Sequence, residues 1–229
     1  MTQSANGVRG RGRPPRLSRE QIVDTAVALV RSDPAVPLTV KRVAEAVGSA
    51  PMALYRYFPD RDDLLHAVAD QVAADMAFGL PDGGTWQEQL RAWMELSVRH
   101  LQPYPQLLPY IAATTDPAWL PFFVLLVDLL EPAGLADADL ALAVTLIGGT
   151  IVGQALLEAR RRPAVEVVQA MCEVLQNPGT PGQRRVSAVL AHVPAAYDRV
   201  YPAMIDGVVA TVEGYASRSR QAVLARDQS

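Results

Sequence analysis

Helix-start signals recur along this chain at short intervals, and they constrain its fold more than any other feature of the sequence. Residues that cap a helix or suit its first turn precede most of the apolar segments: Ser18, Thr39, Pro51, Asp60, Thr85, Asp116 and Asp137. Ser18 and Thr85 are also followed three residues later by Gln or Glu, which completes a capping box. No alternating run of β-branched residues indicates a strand. The sequence therefore predicts an all-α fold.

The composition favours the same fold. Half of the residues are hydrophobic but only 6% are aromatic, so the core must consist mainly of Ala, Val and Leu. Ala and Leu lead the scale of helix propensity. Apolar residues at helical spacing predict helices over 18–33, 39–48, 51–58, 60–77, 85–101, 116–130 and 137–162, a further helix to about 175, and a last one over 197–217. Loops are predicted at 81–84 and 177–182, where Pro, Gly, Asn and Asp collect.

Positive charge is concentrated at the N-terminal end of the chain. Residues 1–61 carry ten Arg or Lys and five Asp or Glu, a net charge of +5, whereas residues 62–229 carry eleven and nineteen, a net charge of −8. A basic head on an acidic body indicates that only the head meets a polyanion. Residues 1–17 are rich in Gly, Pro and Arg, and we predict that they form a disordered basic arm.

Cysteine and histidine usage argues against several kinds of site. Cys172 is the only cysteine, so neither an intramolecular disulfide nor a cysteine metal cluster can form. His66, His100 and His192 are isolated and lack metal-ligand spacing. Because no glycine-rich phosphate loop or nucleophile set stands out, we predict no cofactor and no enzyme activity. The polar N-terminus has no apolar signal segment, which indicates a cytoplasmic protein.

The second and third predicted helices are separated by a turn that contains Gly48, which is a helix-turn-helix arrangement. Leu54 and Phe58 lie one turn apart and can anchor the third helix to the first two. The residues left facing outward are then Pro51, Met52, Tyr55 and Arg56. A recognition helix in a major groove has this form, with apolar groups behind and polar groups in front.

The segment LTVKRVAEAVGSAPMALYRYFPDRDDLL resembles the DNA-binding head of TetR-family transcriptional regulators. The positions that match the family pattern in register are Gly48, Leu54, Tyr55, Phe58 and Leu64. The resemblance covers about residues 18–77, and many of its positions match in register. It implies a three-helix DNA-binding head followed by a larger helical domain for ligand binding and dimerisation.

The resemblance also implies which residues contact DNA. They are Thr39, Lys41, Pro51, Met52, Ala53, Tyr55, Arg56, Tyr57 and Arg61. Tyr57 stands where the family usually has histidine and Arg61 where it has lysine, but both side chains can still bond a phosphate. Ala50 replaces the usual serine cap, so either Ser49 caps the recognition helix or the helix start is looser. The alternative is that the tyrosines only pack and the arginines are only solvated.

The resemblance divides the chain into the arm at 1–17, the head at 18–62 and the body at 63–229. It places the dimer surface on the helix over 138–162 packed with the last helix, two helices from each subunit. No charged residue lies between Asp139 and Glu158, a length that also suggests a membrane span. We reject that interpretation because Thr145, Gln154 and three glycines lower the hydrophobicity, and because no second span exists.

Aromatic residues collect between Trp86 and Phe123, which fits either an ordinary core or an apolar pocket with a few polar groups. Core is the commoner role for any single residue. The resemblance implies a pocket between the middle helices for a hydrophobic or aromatic small molecule. Its candidate residues are Trp93, Met94, His100, Tyr104, Tyr110, Phe123 and Gln154.

The sequence thus predicts a ligand-responsive homodimeric regulator, most simply a repressor, that binds a palindromic operator in the nucleoid and is released by a small molecule. One alternative is an activator or a ligand-independent architectural DNA-binding protein. Another is a helical protein that binds or converts a small molecule and whose DNA-binding head is vestigial. The basic head and the intact tyrosine pattern argue against this last alternative.

Overall fold

The computed structural model describes residues 17–76, 78–80, 83–113, 119–175 and 180–226, and these contain helices but no strand. The helices are α1 (Arg19–Ser32), α2 (Val40–Ala46), α3 (Pro51–Leu54), α4 (Arg61–Ala74), α5 (Trp86–Leu101), α6 (Leu108–Ala113), α7 (Leu120–Leu130), α8 (Asp137–Ala159), α9 (Ala164–Val174), α10 (Pro181–Leu190) and α11 (Val193–Arg226). A 3₁₀ turn, Glu131–Ala133, joins α7 to the loop before α8. The predicted all-α fold is confirmed. The predicted arm lies outside the described residues except for Leu17, which packs against the core.

Helices α1 and α2 begin at the predicted caps. The Ser18 hydroxyl accepts from the Gln21 amide at 3.2 Å, and the Gln21 side chain accepts from the Ser18 amide at 3.1 Å. The Thr39 hydroxyl accepts from the Arg42 amide at 3.2 Å. Each cap supplies a partner for a backbone donor that has none within the helix.

Helix α3 follows a turn in which Gly48 has a φ of +67°, a conformation that glycine adopts without steric cost. Pro51 occupies the first turn of α3, as predicted. The helix itself ends at Leu54 and a turn carries the chain on to Phe58, so α3 is shorter than the predicted 51–58. Ala50 is its N-cap and no side chain caps it, which agrees with the looser start. Leu54 and Phe58 are buried and anchor the segment.

Helix α4 connects the head to the body. The Asp60 carboxylate accepts from the Asp63 amide at 2.8 Å and so caps the helix. Helix α4 packs against α1 on the head side, and against α6 and α7 on the body side. It ends at Ala74, and the predicted end at Ala77 lies outside the described residues. Any displacement of α6 or α7 therefore acts directly on a helix that also belongs to the head.

The body is built around α8, which contacts α5, α6, α7 and α11. Among the described residues α8 alone is long and apolar enough to span a membrane by length and composition. Ala143, Ile147 and Ile151 on one face of it are buried inside the protein. A Cβ at Gly148 would lie 3.3 Å from the ring of Phe122 of α7, a tight contact that favours glycine at this position.

Several predicted boundaries in the body differ from the structure. Helices α6 and α10 were not predicted, and α11 runs over Val193–Arg226 rather than 197–217. Helix α7 begins at Leu120, and the predicted start at Asp116 lies outside the described residues, as do 81–82 and 177–179. Thr180 and Gln183 form a capping box at the start of α10, so this helix begins inside the predicted loop over 177–182.

Candidate nucleic-acid interface and cavities

The exposed surface formed by α3 and the turn after it begins with apolar side chains, at Pro51 and Met52, and continues with the polar groups of Tyr55 and Arg56. Met52 is 75% exposed and Tyr55 43% exposed, although both are large apolar side chains. Pro51 and Arg56 are also exposed, and Ala53 is half-buried. A free surface of this kind can read thymine methyl groups and groove shape, with arginine as a reader of guanine.

Two side chains that are predicted to contact phosphates, Tyr57 and Arg61, form hydrogen bonds within the protein. The Tyr57 hydroxyl donates to the carbonyl of Leu17, and Tyr57 is half-buried. Arg61 donates from Nε to the Leu38 carbonyl at 3.0 Å, and its Nη1 lies 3.8 Å from the Asp62 carboxylate. These contacts orient both side chains at the edge of the recognition surface. Their predicted contact with DNA stays a prediction.

The start of α2 presents a second group of predicted contacts. Thr39 is exposed, and its hydroxyl can still donate a hydrogen bond while it caps the helix. The Lys41 ammonium lies 3.9 Å from Glu45, with 78% of its side chain exposed. An exposed ion pair of this kind contributes little, so Lys41 can exchange Glu45 for a phosphate.

The body contains an open apolar cavity of about 500 Å³ between α6, α7 and α8. Its walls are Ile111, Ala112, Trp119, Phe122, Phe123, Val144, Thr145, Gly148, Gly149, Val152, Gly153 and Leu156. Thr145 supplies the one side-chain hydroxyl among them, and this hydroxyl donates to the Ala141 carbonyl at 2.8 Å. The size and composition suit an apolar small molecule that carries aromatic rings.

The predicted ligand-binding residues are not brought together at this cavity. Phe123 lines it, but Trp93, Met94 and Tyr104 are buried in the core and do not line it. Tyr110 is half-buried, and its hydroxyl donates to the Asp62 carboxylate at 2.8 Å. The glycines among bulky aliphatic residues over 144–156 are the sequence signal that could have located the wall formed by α8.

His100 and its aromatic neighbours form a row of contacting rings beside the cavity. The ring of His100 lies 5.9 Å from Tyr104 and 5.6 Å from Phe78, and Phe78 lies 6.0 Å from Trp93. Trp93 in turn lies 5.4 Å from the cavity residue Phe122. His100 Nε2 is 3.3 Å from the carbonyl of Val72, which can only accept, so Nε2 carries the proton. Burial lowers the pKa of His100, and the bond to Val72 partly opposes that shift.

Gln154 lies at a second cavity, of about 690 Å³, between the end of α8 and helices α9 and α11. Its side chain is buried and donates to Glu158 at 2.9 Å, while its Oε1 atom accepts no hydrogen bond. Arg161 lines the same cavity, stacks over the ring of Tyr197 and pairs with Asp198 at 3.3 Å. Gln154 thus lines a different cavity from Phe123, although its neighbours Gly153 and Leu156 line both cavities.

Comparison with known proteins identifies the head. Residues 22–68, which contain most of α1, all of α2 and α3 and the first half of α4, match the family described as bacterial regulatory proteins, tetR family. The repressor DrrR1 of Streptomyces coeruleorubidus is 29% identical over 193 residues, which are 79% of this chain and 71% of that protein. The head of the chain is a TetR-family DNA-binding domain. DrrR1 is named an HTH-type transcriptional repressor.

Solved structures extend the TetR-family likeness to the body. A possible TetR family transcriptional regulator from Streptomyces coelicolor is 27% identical, with a TM-score of 0.62 over 86% of this chain and 98% of that chain. The ActR protein of the same organism, solved in complex with actinorhodin, is 21% identical with a TM-score of 0.69. That alignment covers 87% of this chain and 96% of ActR and concerns the fold alone. The TetR-family architecture of a helix-turn-helix head and a larger helical domain is confirmed.

Proposed function

We propose that this TetR-family protein is a homodimeric repressor that binds a palindromic operator and is released by a hydrophobic or aromatic small molecule. The observation that carries the proposal is an open cavity with aromatic walls beside α6 and α7, the helices that pack on α4. Bound to its operators, the protein is associated with the nucleoid. DrrR1, which is named a repressor, supports the sign of regulation.

Dimerisation through α8 and α11 is supported by the exposed faces of these helices. Leu142 and Leu157 of α8 are 51% and 61% exposed, so both side chains are available to be buried by a second subunit. The outer face of α11 carries the small exposed residues Ala203, Gly207 and Ala210, which let a partner helix approach closely. Two heads held about 34–36 Å apart would enter successive major grooves of a palindrome.

The effector class follows from the cavity walls. Trp119, Phe122 and Phe123 supply aromatic rings, and none of the described residues that line the cavity is charged. Planar apolar molecules therefore gain most by entering. The fold neighbour ActR is known in complex with actinorhodin, so this fold can hold a small molecule. An effector that prefers a state with more widely spaced heads would shift the population away from DNA.

The first experiment selects fragments of genomic DNA with the purified protein and then titrates candidate effectors on the selected operator. We expect one palindrome to be enriched and bound by two chains, as measured by light scattering of the complex. Planar apolar compounds should release it, whereas charged analogues of equal size should not. Enrichment of no palindrome, or saturating effector that leaves operator affinity unchanged, contradicts the proposal.

A variant that fills the cavity would separate operator binding from the response to the effector. Gly149 lines the cavity, and a Cβ added there meets no atom within 4 Å, so Gly149→Leu should fold and occupy the effector's space. We expect normal operator binding and a loss of release by effector. Gly149→Ala, which adds only a methyl group, is the matched control and should still respond.

Arg56→Ala is the converse variant and should weaken operator binding while effector binding remains.

A further inference from the structure

The loop at residues 36–38, which joins α1 to α2, is held by side chains rather than by secondary structure. The Val36 carbonyl accepts from Arg42 Nη1 at 2.9 Å, and the Leu38 carbonyl accepts from Arg61 Nε at 3.0 Å. Both arginines belong to the head. Gln106 is a third partner and comes from the body, about seventy residues further along the chain.

Gln106 binds this loop with both ends of its amide. Its Oε1 accepts from the Leu38 amide at 2.7 Å, and its Nε2 donates to the Val36 carbonyl at 3.2 Å. The Leu38 side chain is fully buried, so the loop is fixed from the core side as well. Two hydrogen bonds from one planar group fix orientation as well as distance, because the amide has no freedom to satisfy both partners in another pose.

The loop that Gln106 holds ends at the N-cap of α2. Thr39 caps α2 directly after Leu38, and Lys41 follows within its first turn. Both are predicted DNA contacts. The position of Gln106 therefore decides where the first turn of α2 lies relative to the body, and through the body relative to the second head of a dimer.

Gln106 lies in the linker at residues 102–107, which leads directly into α6. Within the next six residues the Tyr110 hydroxyl donates to Asp62 near the start of α4, and Ile111 and Ala112 line the 500 Å³ cavity. The segment 106–112 thus contacts the head at two separate places and the cavity wall at a third. Helix α4 is not the only physical connection between the two parts.

We propose that Gln106 is a positioning residue for operator binding, which holds the α1–α2 loop on the body and keeps the head at the spacing that DNA requires. The inference rests on the proposed function only in using the operator as its readout. Without the Gln106 amide the head samples more orientations about α4. The apparent dissociation constant then rises in inverse proportion to the binding-competent fraction.

The test compares Gln106→Leu, which keeps the size of the side chain but cannot hydrogen-bond, with Gln102→Leu in the same linker. Gln102 is exposed and donates to Glu158 of the body at 3.1 Å, so its loss does not touch the head. We expect Gln106→Leu to bind the operator about tenfold more weakly, the effect of losing one or two ordinary hydrogen bonds. Gln102→Leu should bind like the wild type.

Amide hydrogen exchange of the free protein gives a readout that a general loss of stability would not produce. In Gln106→Leu we expect the Leu38 amide to exchange faster while the amides of α5 and α8 do not. Gln106→Glu retains the acceptor for the Leu38 amide but loses the donor to the Val36 carbonyl, against which it places a carboxylate oxygen. This variant should therefore keep Leu38 protected and bind the operator more tightly than Gln106→Leu but more weakly than the wild type. If the leucine variant does not fold, the comparison of Gln106→Glu with the wild type carries the test.

The outcomes separate the two proposals. Wild-type affinity in Gln106→Leu, equal losses in Gln106→Leu and Gln102→Leu, or unchanged exchange at Leu38 would overturn the positioning role. Failure of the wild type to select any operator would instead contradict the proposed function. The exchange measurement needs no DNA and would still decide whether Gln106 holds the loop.

Discussion

Tyr55 and Tyr57 lie two positions apart in the head and have different surroundings. The Tyr57 hydroxyl donates to Leu17, whereas that of Tyr55 makes no hydrogen bond within the described residues. Tyr57→Phe should therefore lower the free energy of unfolding by about 1 kcal/mol, and Tyr55→Phe should leave it unchanged. Urea denaturation of both variants, with operator affinity measured in parallel, tests this. We expect Tyr55→Phe to weaken DNA binding alone; equal stability losses would contradict the assignment.

His100 gives the protein a specific dependence on pH. Because burial depresses its pKa in the folded state, protonation favours the unfolded chain. The stabilising effect of a neutral His100 is thus complete above the ordinary pKa of about 6.5 and is lost as pH falls from there towards the folded-state value. We expect His100→Phe, which fits between Phe78 and Tyr104, to show a smaller drop in melting temperature from pH 7 to pH 5 than the wild type. Identical pH slopes would refute this role.

At the scale of single elements, α2 depends on its cap because it has only seven residues. Thr39→Ala removes the acceptor for the Arg42 amide and should cost about 1 kcal/mol of stability. Thr39→Ser keeps the hydroxyl and should cost much less. Guanidinium denaturation of the pair measures the difference, and equal midpoints would show that the cap contributes nothing.

Helix starts were predictable from sequence wherever the signal is local. The caps at Ser18, Thr39, Asp60 and Thr85 each involve atoms within three residues of one another, so no tertiary information is needed. The box at Thr180 has the same pattern, but Pro and Gly around it also fit a loop. A turn signal and a helix start then compete, and the sequence alone does not decide between them.

Helix α11 extends beyond the predicted 197–217 at both ends, to Val193 and to Arg226. Pro202 lies inside the helix and lacks the amide that would continue its hydrogen bonds. Beside it, the Tyr201 hydroxyl donates to the Met94 carbonyl of α5 at 2.7 Å and ties this part of the helix to the core. The cavity was only partly predictable from the sequence. Aromatic residues such as Trp93 and Phe123 are equally common in cores and pockets, and only packing distinguishes them.

At the scale of the whole molecule, the separation of charge determines how binding responds to salt. The head region carries +5 and the remainder −8, so phosphate contacts come from the head and the body repels DNA. For a dimer that neutralises at least six phosphates, raising salt from about 50 to 200 mM should weaken operator binding at least about a thousandfold. Fluorescence anisotropy over a salt series measures the slope.

A matched pair of charge variants localises the salt effect. Lys41→Ala should lower the salt slope by roughly one unit for each head that loses a phosphate contact. Arg99 is exposed in the body, and its ion-pair partner among the described residues is Glu95, at 4.0 Å, so Arg99→Ala should leave the slope as it is. Equal slopes for Lys41→Ala and the wild type would remove Lys41 from the set of DNA contacts.

Lys41 is also the only lysine in the chain, and the exposed Cys172 on α9 is the only cysteine. One side-chain amine therefore lies on the head and one thiol on the body, and each can be labelled chemically without any substitution. Acylation of Lys41 with and without operator is a footprint of the DNA-bound face. A fluorophore pair on the two side chains would follow the distance from head to body as an effector is added, in the natural sequence.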